Sequence, residues 1–199
     1  MDFSLDDDHL ALRDAVQRFC DGEYPAQHRG SAESAELAAS RWAGMAKLGL
    51  LGLPFDIELG GSGQGAVELM LVAQRLGHAL GGGAWHASVV LAGQLVAEAA
   101  TPEQRAQWLP RLAQGELQIA LACSEDDSRH DPADVQTNAR ADGSTWTVNG
   151  CKTLVLHGDT AGLVLVVART SGARRDRSGV SLFDVDAGTP GLQVNGSGT

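Results

Sequence analysis

"LPRLAQGELQIALACSE", residues 109 to 125, is where the chain changes its grammar. Before Gly115 the apolar residues recur at helical spacing, and after it "LQIALAC" reads as a continuous apolar strand bounded by turn residues. Working back from this point, Thr101-Pro102-Glu103-Gln104 forms a helix start: Thr101 caps, Pro102 takes the first position and Gln104 completes a capping box. The helix so begun carries Trp108, Leu109 and Leu112, and Pro110 is expected to kink or end it. The expected fold class is therefore α+β. An all-α N-terminal domain spans residues 1–115, and an antiparallel β-sandwich or barrel begins at 116 and runs to 199.

Further upstream, Ser4 can cap a first helix whose opening turn holds Asp6, Asp7 and Asp8, favoured there by the backbone dipole. Leu12, Val16, Phe19 and Cys20 share one face of it, and Pro25 closes it. A second helix over residues 33–48 gathers Leu37, Trp42, Met45 and Leu48. The Gly-rich passage "FDIELGGSGQG" follows. Residues 66–80 and 85–98 are apolar nearly all round, which predicts helices covered on several sides. Downstream of the boundary, "VQTNARADGSTWTVNGCKTLVL" places turns at Asp142-Gly143 and Asn149-Gly150 and so predicts successive hairpins. "LVLVVART" and "VSLFDVD" extend the sheet, and residues 171–178 form an exposed loop.

Composition narrows the function. The 199 residues carry a net charge of -10, which disfavours the phosphate contacts that dominate nucleic-acid binding. No run approaches the length of a membrane span, and the acidic start is unlike an export signal, so a cytoplasmic protein is expected. Cys20, Cys123 and Cys151 lie far apart without C-x-x-C spacing. Reduced, packed thiols are expected, with Cys123 buried at a strand end.

In order and spacing, "LALRDAVQRFC", "LGLLGLPFDIELGGSGQG", "TPEQRAQWLPRLAQGE" and "WTVNGCKTLVLHGDTAGLVLVVART" together resemble the acyl-CoA dehydrogenase family across the whole chain. The last of these, with "RRDRSGVSLFDVDAGTPGLQV", is similar to the small-subunit branch typified by pimeloyl-CoA dehydrogenase, which works with a partner subunit. The resemblance implies FAD as cofactor, an acyl-CoA substrate, an electron-accepting flavoprotein and a homo- or hetero-oligomer. It also implies a C-terminal helical bundle carrying a glutamate base; the chain stops at Thr199 inside the expected β-domain, so the base is expected outside this segment.

Dehydrogenating an acyl thioester requires a base at the alpha proton, donors to the thioester carbonyl, and a wall that holds the flavin against the acyl chain. The family's A-L-T-E-P-G-A-G-S-D wall falls on residues 122–131, so the resemblance makes Ala122, Cys123 and Ser124 candidates for flavin contacts. Ser128 and Asp131 become candidates for the substrate side. Asp126, Asp127, Arg129 and His130 depart from the pattern. The K-x-W-I-T-N-G motif falls on residues 152–158, where Leu154 stands in for the indole and Leu156 for the threonine hydroxyl. Two flavin contacts are thereby lost, which opens a second reading as a partner subunit whose flavin contacts and base come mostly from another chain.

Other readings of these residues compete. "SEDDSRHD", residues 124–131, could be a metal cage, a Ser128-His130-Asp131 relay or a solvated acidic loop; a metal needs convergent ligands, and neighbours on one loop rarely form a relay. His157 is a ligand contact or a turn residue. Arg174, Arg175 and Arg177 meet a phosphate or water. Trp42, Trp85 and Trp108 read as core residues, with Trp146 undecided. Gly60, Gly61 and Gly63 lack the strand-to-helix frame of a nucleotide loop and read as structural.

Overall fold

A computed structural model describes residues 4–25, 33–128 and 131–196. The chain divides into two compact units at Leu117 and Gln118.

In the first unit, helices α1 (Asp7–Glu23), α2 (Ala35–Lys47) and α3 (Ala66–His78) are followed by the short α4 (Gly83–Trp85). A π-helical stretch (His86–Gly93) then leads into α5 (Gln94–Ala99), and α6 (Pro102–Ala113) closes the unit. The cap of α1 is Asp6, not Ser4: its carboxylate accepts from the His9 amide at 2.9 Å. An aspartate one turn ahead of the first apolar face also satisfies the dipole, so helix and cap coincide there. Ser34 caps α2, accepting from Leu37 N at 3.2 Å. The Thr101–Gln104 capping box forms in α6, with N···O distances of 3.3 and 3.0 Å. Pro110 lies inside α6, which ends within a turn of it at Ala113.

The expected plain helix over 85–98 is instead widened in its middle. A Cβ on Gly93 would lie 2.6 Å from the Phe55 ring and 2.7 Å from the Ser88 carbonyl, so the missing side chain lets the buried Phe55 press on the wider turn. The core gathers Val16, Leu51, Phe55, Leu76, Leu109 and three tryptophans, Trp42, Trp85 and Trp108, as expected. Trp42 and Trp85 satisfy their indole N–H groups on the carbonyls of Gly115 (3.0 Å) and Leu50 (2.9 Å). The Gly60–Gly63 stretch is structural as well, its amides bonding back to Asp56, Gly52 and Phe55 carbonyls.

In the second unit, β1 (Ile119–Ala122), β2 (Asn138–Asp142), β3 (Thr145–Asn149), β4 (Leu163–Arg169) and β5 (Val180–Asp186) form one sheet. It is mixed rather than purely antiparallel. β1 runs parallel to β4, from Ile119 beside Leu163 to Ala122 beside Val166, and β2 meets β4 in parallel where Asn138 faces Arg169. Only the β2–β3 hairpin and the β4–β5 pair are antiparallel. Tight turns permit antiparallel pairing, whereas β1 reaches β4 across a long connection that carries the β2–β3 hairpin, and a crossover of that length allows parallel pairing. The hairpin brings Trp146 onto Phe183 of β5, ring centroids 5.3 Å apart, leaving Trp146 half exposed.

The second expected hairpin, at Asn149-Gly150, does not form. Residues 150–162 are irregular, and Leu154 and His157 have φ of 53° and 54°, left-handed values that no strand adopts. A Cβ on Gly150 would sit 2.4 Å from Thr137 Oγ1, one step beyond the Asn138–Asn149 pair of the β2–β3 hairpin, and no strand follows until β4 at Leu163. Ala120, Ala122, Ala161, Val164 and Val166 form one buried cluster of the unit, with Val148, Val155 and Val185 against it.

Candidate functional site

β1 ends at Ala122, whose side chain is buried, so the pleat turns Cys123 to the other face and it emerges exposed. The expected burial of Cys123 is therefore overturned, and Cys151 is exposed too; all three cysteines are free thiols. Ser124 is half-buried, and among the described residues its hydroxyl has only a 3.9 Å approach from Cys123 Sγ. Leu154 and Leu156 are exposed, at 81% and 50%. A left-handed leucine is strained, and such strain persists only where surrounding contacts hold it.

Just ahead of Leu154 in the chain, Lys152 forms a buried pair with Glu125. The Lys152 ammonium lies 2.7 Å from Glu125 Oε1, with side chains only 7% and 5% exposed. It also donates to the Cys123 carbonyl at 3.4 Å, while the Thr153 amide donates to the Ser124 carbonyl at 2.9 Å. Glu125 accepts in addition from Gln136 N at 2.8 Å and Thr137 N at 2.9 Å. One carboxylate thus joins the end of β1, the approach to β2 and the segment after β3. Burial by itself would raise the Glu125 carboxyl, but the bonds from Lys152, Thr137 and Gln136 outweigh it and hold the group at about 2.

A carboxyl depressed from 4.5 to about 2 stabilises the fold fully above its unfolded value and loses that stabilisation as pH falls through the folded one. Chemical-denaturation midpoints are accordingly expected to fall between pH 4.5 and about 2, and Glu125→Gln should flatten that part of the profile. An unchanged slope in the variant would count against this assignment.

Ser128 is buried and turned inward, donating to the Glu125 carbonyl at 2.9 Å. Asp131 is exposed, and its Oδ1 accepts from Ala133 N at 3.0 Å. Residues 125 to 128 thus form a closed turn, while Arg129 and His130 lie outside the described residues. Among the described residues no group of His, Cys, Asp or Glu is placed to hold a metal ion. His157 is a turn residue: its carbonyl accepts from Thr160 and Ala161 amides at 3.3 and 3.1 Å.

The arginine-rich loop is not a free solvated run. Arg174 and Arg175 both pair with the buried Asp134, the latter at 3.0 Å, and this holds the Asp134 carboxyl below its ordinary value. The buried Arg169 donates to the carbonyls of Ala133, Val135, Ser171, Arg174, Asp176 and Ser178. The sequence alone did not pair these residues, although Glu125 is the fourth residue of one motif and Lys152 opens the other. An acid within one motif and a base within the other were the available signal.

A helical unit followed by a five-stranded mixed sheet places the chain in the α+β class. The family model of the acyl-CoA dehydrogenase N-terminal domain matches residues 6–116, and that of the middle domain matches 120–198. The chain belongs to the acyl-CoA dehydrogenase family. It is 34% identical over 193 residues to acyl-CoA dehydrogenase FadE12 of Mycobacterium tuberculosis, covering 96% of this chain and 49% of that relative. In structure it is similar to the FAD complex of PigA (TM-score 0.87, 26% identity, 98% of this chain and 52% of that one). It is also similar to the ChsE4-ChsE5 complex from M. tuberculosis (TM-score 0.82, 26% identity, 94% of this chain and 49% of that one). The chain thus spans about half the length of these relatives. Among the described residues no helix is long and apolar enough to cross a membrane.

Proposed function

We propose that this chain supplies the helical and middle portions of a flavin-dependent acyl-CoA dehydrogenase subunit that introduces a double bond alpha,beta to an acyl-CoA thioester. The observation that carries this reading is the match of both units to the family's two domains in order, with the Ser124 and Leu154 segments placed side by side by the Thr153 to Ser124 bond. The local chemistry fits a flavin. An isoalloxazine has an apolar face and a polar edge, and the exposed Leu154 and Leu156 stand with the uncommitted hydroxyl of Ser124 and the backbone of Ala122 and Cys123.

When bound, FAD accepts the hydride from the beta carbon. Within this reading, Ala122, Cys123 and Ser124 orient the ring edge, and Leu154 and Leu156 exclude water from its face. Ser128 and Asp131 shape the turn on the substrate side. The catalytic base comes from outside this segment. A cytoplasmic oligomer that passes electrons to a second flavoprotein completes the proposal.

A second reading, as a partner subunit with weak or no flavin of its own, is favoured by the leucines at the motif's indole and threonine positions and by the likeness to a two-protein complex. Visible absorbance of the full-length subunit, purified alone and then with its natural partner, separates the two. Flavin bands in the isolated subunit support the first reading; bands only in the complex support the second; none in either overturns both.

A further inference from the structure

Resting on the flavin reading above, we propose that the buried Glu125–Lys152 pair is a positioning device that sets the spacing between the two halves of the flavin platform. Ser124 immediately precedes Glu125, and Leu154 stands two residues after Lys152. The pair is bonded at 2.7 Å with both side chains almost fully buried. Around it, the Lys152 ammonium reaches back to the Cys123 carbonyl, and Thr153 donates to the Ser124 carbonyl. Every polar link between the β1 end and residues 152–154 thus runs through, or sits directly beside, this pair.

Such a pair contributes little net stability relative to well-packed neutral side chains, because desolvating both charges offsets their attraction. What neutral replacements cannot supply is a directional link of fixed length. A further feature is strain: Leu154 is left-handed and 81% exposed, and the backbone bond just ahead of it is the Thr153 amide on the Ser124 carbonyl. Releasing the link lets Leu154 relax to an ordinary backbone conformation and withdraws one side of the platform.

The decisive variant is Glu125→Gln with Lys152→Met, made together in the full-length subunit, because removing both charges at conserved side-chain length leaves no charge stranded. Its denaturation midpoint is expected to fall while the chain stays folded, since a glutamine oxygen cannot replace both carboxylate oxygens on Gln136 N and Thr137 N; where both chains are folded, FAD affinity of the deflavinated protein falls by about tenfold or more and the visible circular dichroism of bound flavin changes. Lys152→Arg, which keeps a cation opposite Glu125, is expected to restore part of the affinity. Amide exchange at Thr153 should accelerate in the double variant, a readout that needs no flavin. Wild-type affinity and flavin dichroism in the double variant, or unchanged Thr153 exchange, overturn the proposal. Failure of the wild-type subunit to take up FAD, with accelerated Thr153 exchange in the variant, sinks the flavin reading and leaves the positioning link intact. If the double variant does not fold, the pair is a stabilising element and the proposal fails.

Discussion

A Gly61→Ala chain is expected to be recovered unfolded or aggregated rather than as a weakened native protein. A Cβ at Gly61 would lie 1.9 Å from the Phe55 carbonyl oxygen, 2.4 Å from the Phe55 carbonyl carbon and 2.6 Å from the Gly52 oxygen. All three are backbone atoms, so no side chain can rotate away. Relief requires opening the loop whose amides bond Gly61 to Asp56, Ser62 to Gly52 and Gly63 to Phe55. That in turn withdraws the fully buried Phe55 ring from the π-helical turn at Gly93. Loss of such a ring alone costs about 3–5 kcal/mol, a large share of a domain's stability of about 5–15 kcal/mol. Far- and near-ultraviolet circular dichroism of the purified variant checks this. The contrast is Gly22→Ala in α1, where an added Cβ meets nothing within 4 Å and stability is expected to rise by about 0.5–1 kcal/mol. A native spectrum and midpoint for Gly61→Ala would show that the loop can yield.

Gly61 also shows what kind of information the sequence carries. Its reading as structural followed from what was missing around it, but nothing in "GGSGQG" reveals that the tight position is Gly61, since the clash is with Phe55 and Gly52, residues earlier in the loop. The helices were legible because capping and periodicity are local: Ser34, Thr101 and Gln104 act within one turn of themselves. The sheet was legible as strands but not as pairings. β1 lies beside β4 because of what the intervening chain does, and no local pattern distinguishes a parallel from an antiparallel partner. The Asn149-Gly150 dipeptide carries a turn signal, yet no strand follows it within hairpin reach, since β4 begins only at Leu163.

The same division runs through the site. Ala122, Cys123, Ser124, Leu154 and Leu156 could be pointed to from the family resemblance because they occupy motif positions. The Glu125–Lys152 pair could not, because its members are separated in sequence by the whole β2–β3 hairpin and meet only in the folded sheet. Cys123 illustrates the limit at the scale of one residue. An apolar run suggests burial for all its members, but the strand ends one residue earlier and the pleat puts the thiol outside.

Arg169→Met is expected to lower the unfolding free energy on the order of 3–5 kcal/mol and to release residues 171–178 from the sheet. Arg169 closes β4 with its side chain buried, yet every partner of its guanidinium is a backbone carbonyl. Those carbonyls come from both sides: Ala133 and Val135 ahead of β2, and Ser171, Arg174, Asp176 and Ser178 in the β4–β5 connection. A planar fork with five N–H donors is the side chain suited to this task, and methionine fills similar space without any donor. Each buried carbonyl left without a donor costs about 1–3 kcal/mol unless water replaces it, and the ties that remain are Asp134 with Arg174 and Arg175, the Val135 amide on the Arg174 carbonyl, Arg174 on the Asp127 carbonyl and Thr170 on the Gly179 carbonyl. Lysine, with one compact ammonium, can serve only some of these acceptors, so Arg169→Lys should fall between wild type and Arg169→Met. Urea denaturation measures the order of the three chains, and limited proteolysis within 171–178 reports the released loop. A resistant loop and an unchanged midpoint in Arg169→Met would mean that the Asp134 pairing suffices to hold the connection without the carbonyl contacts.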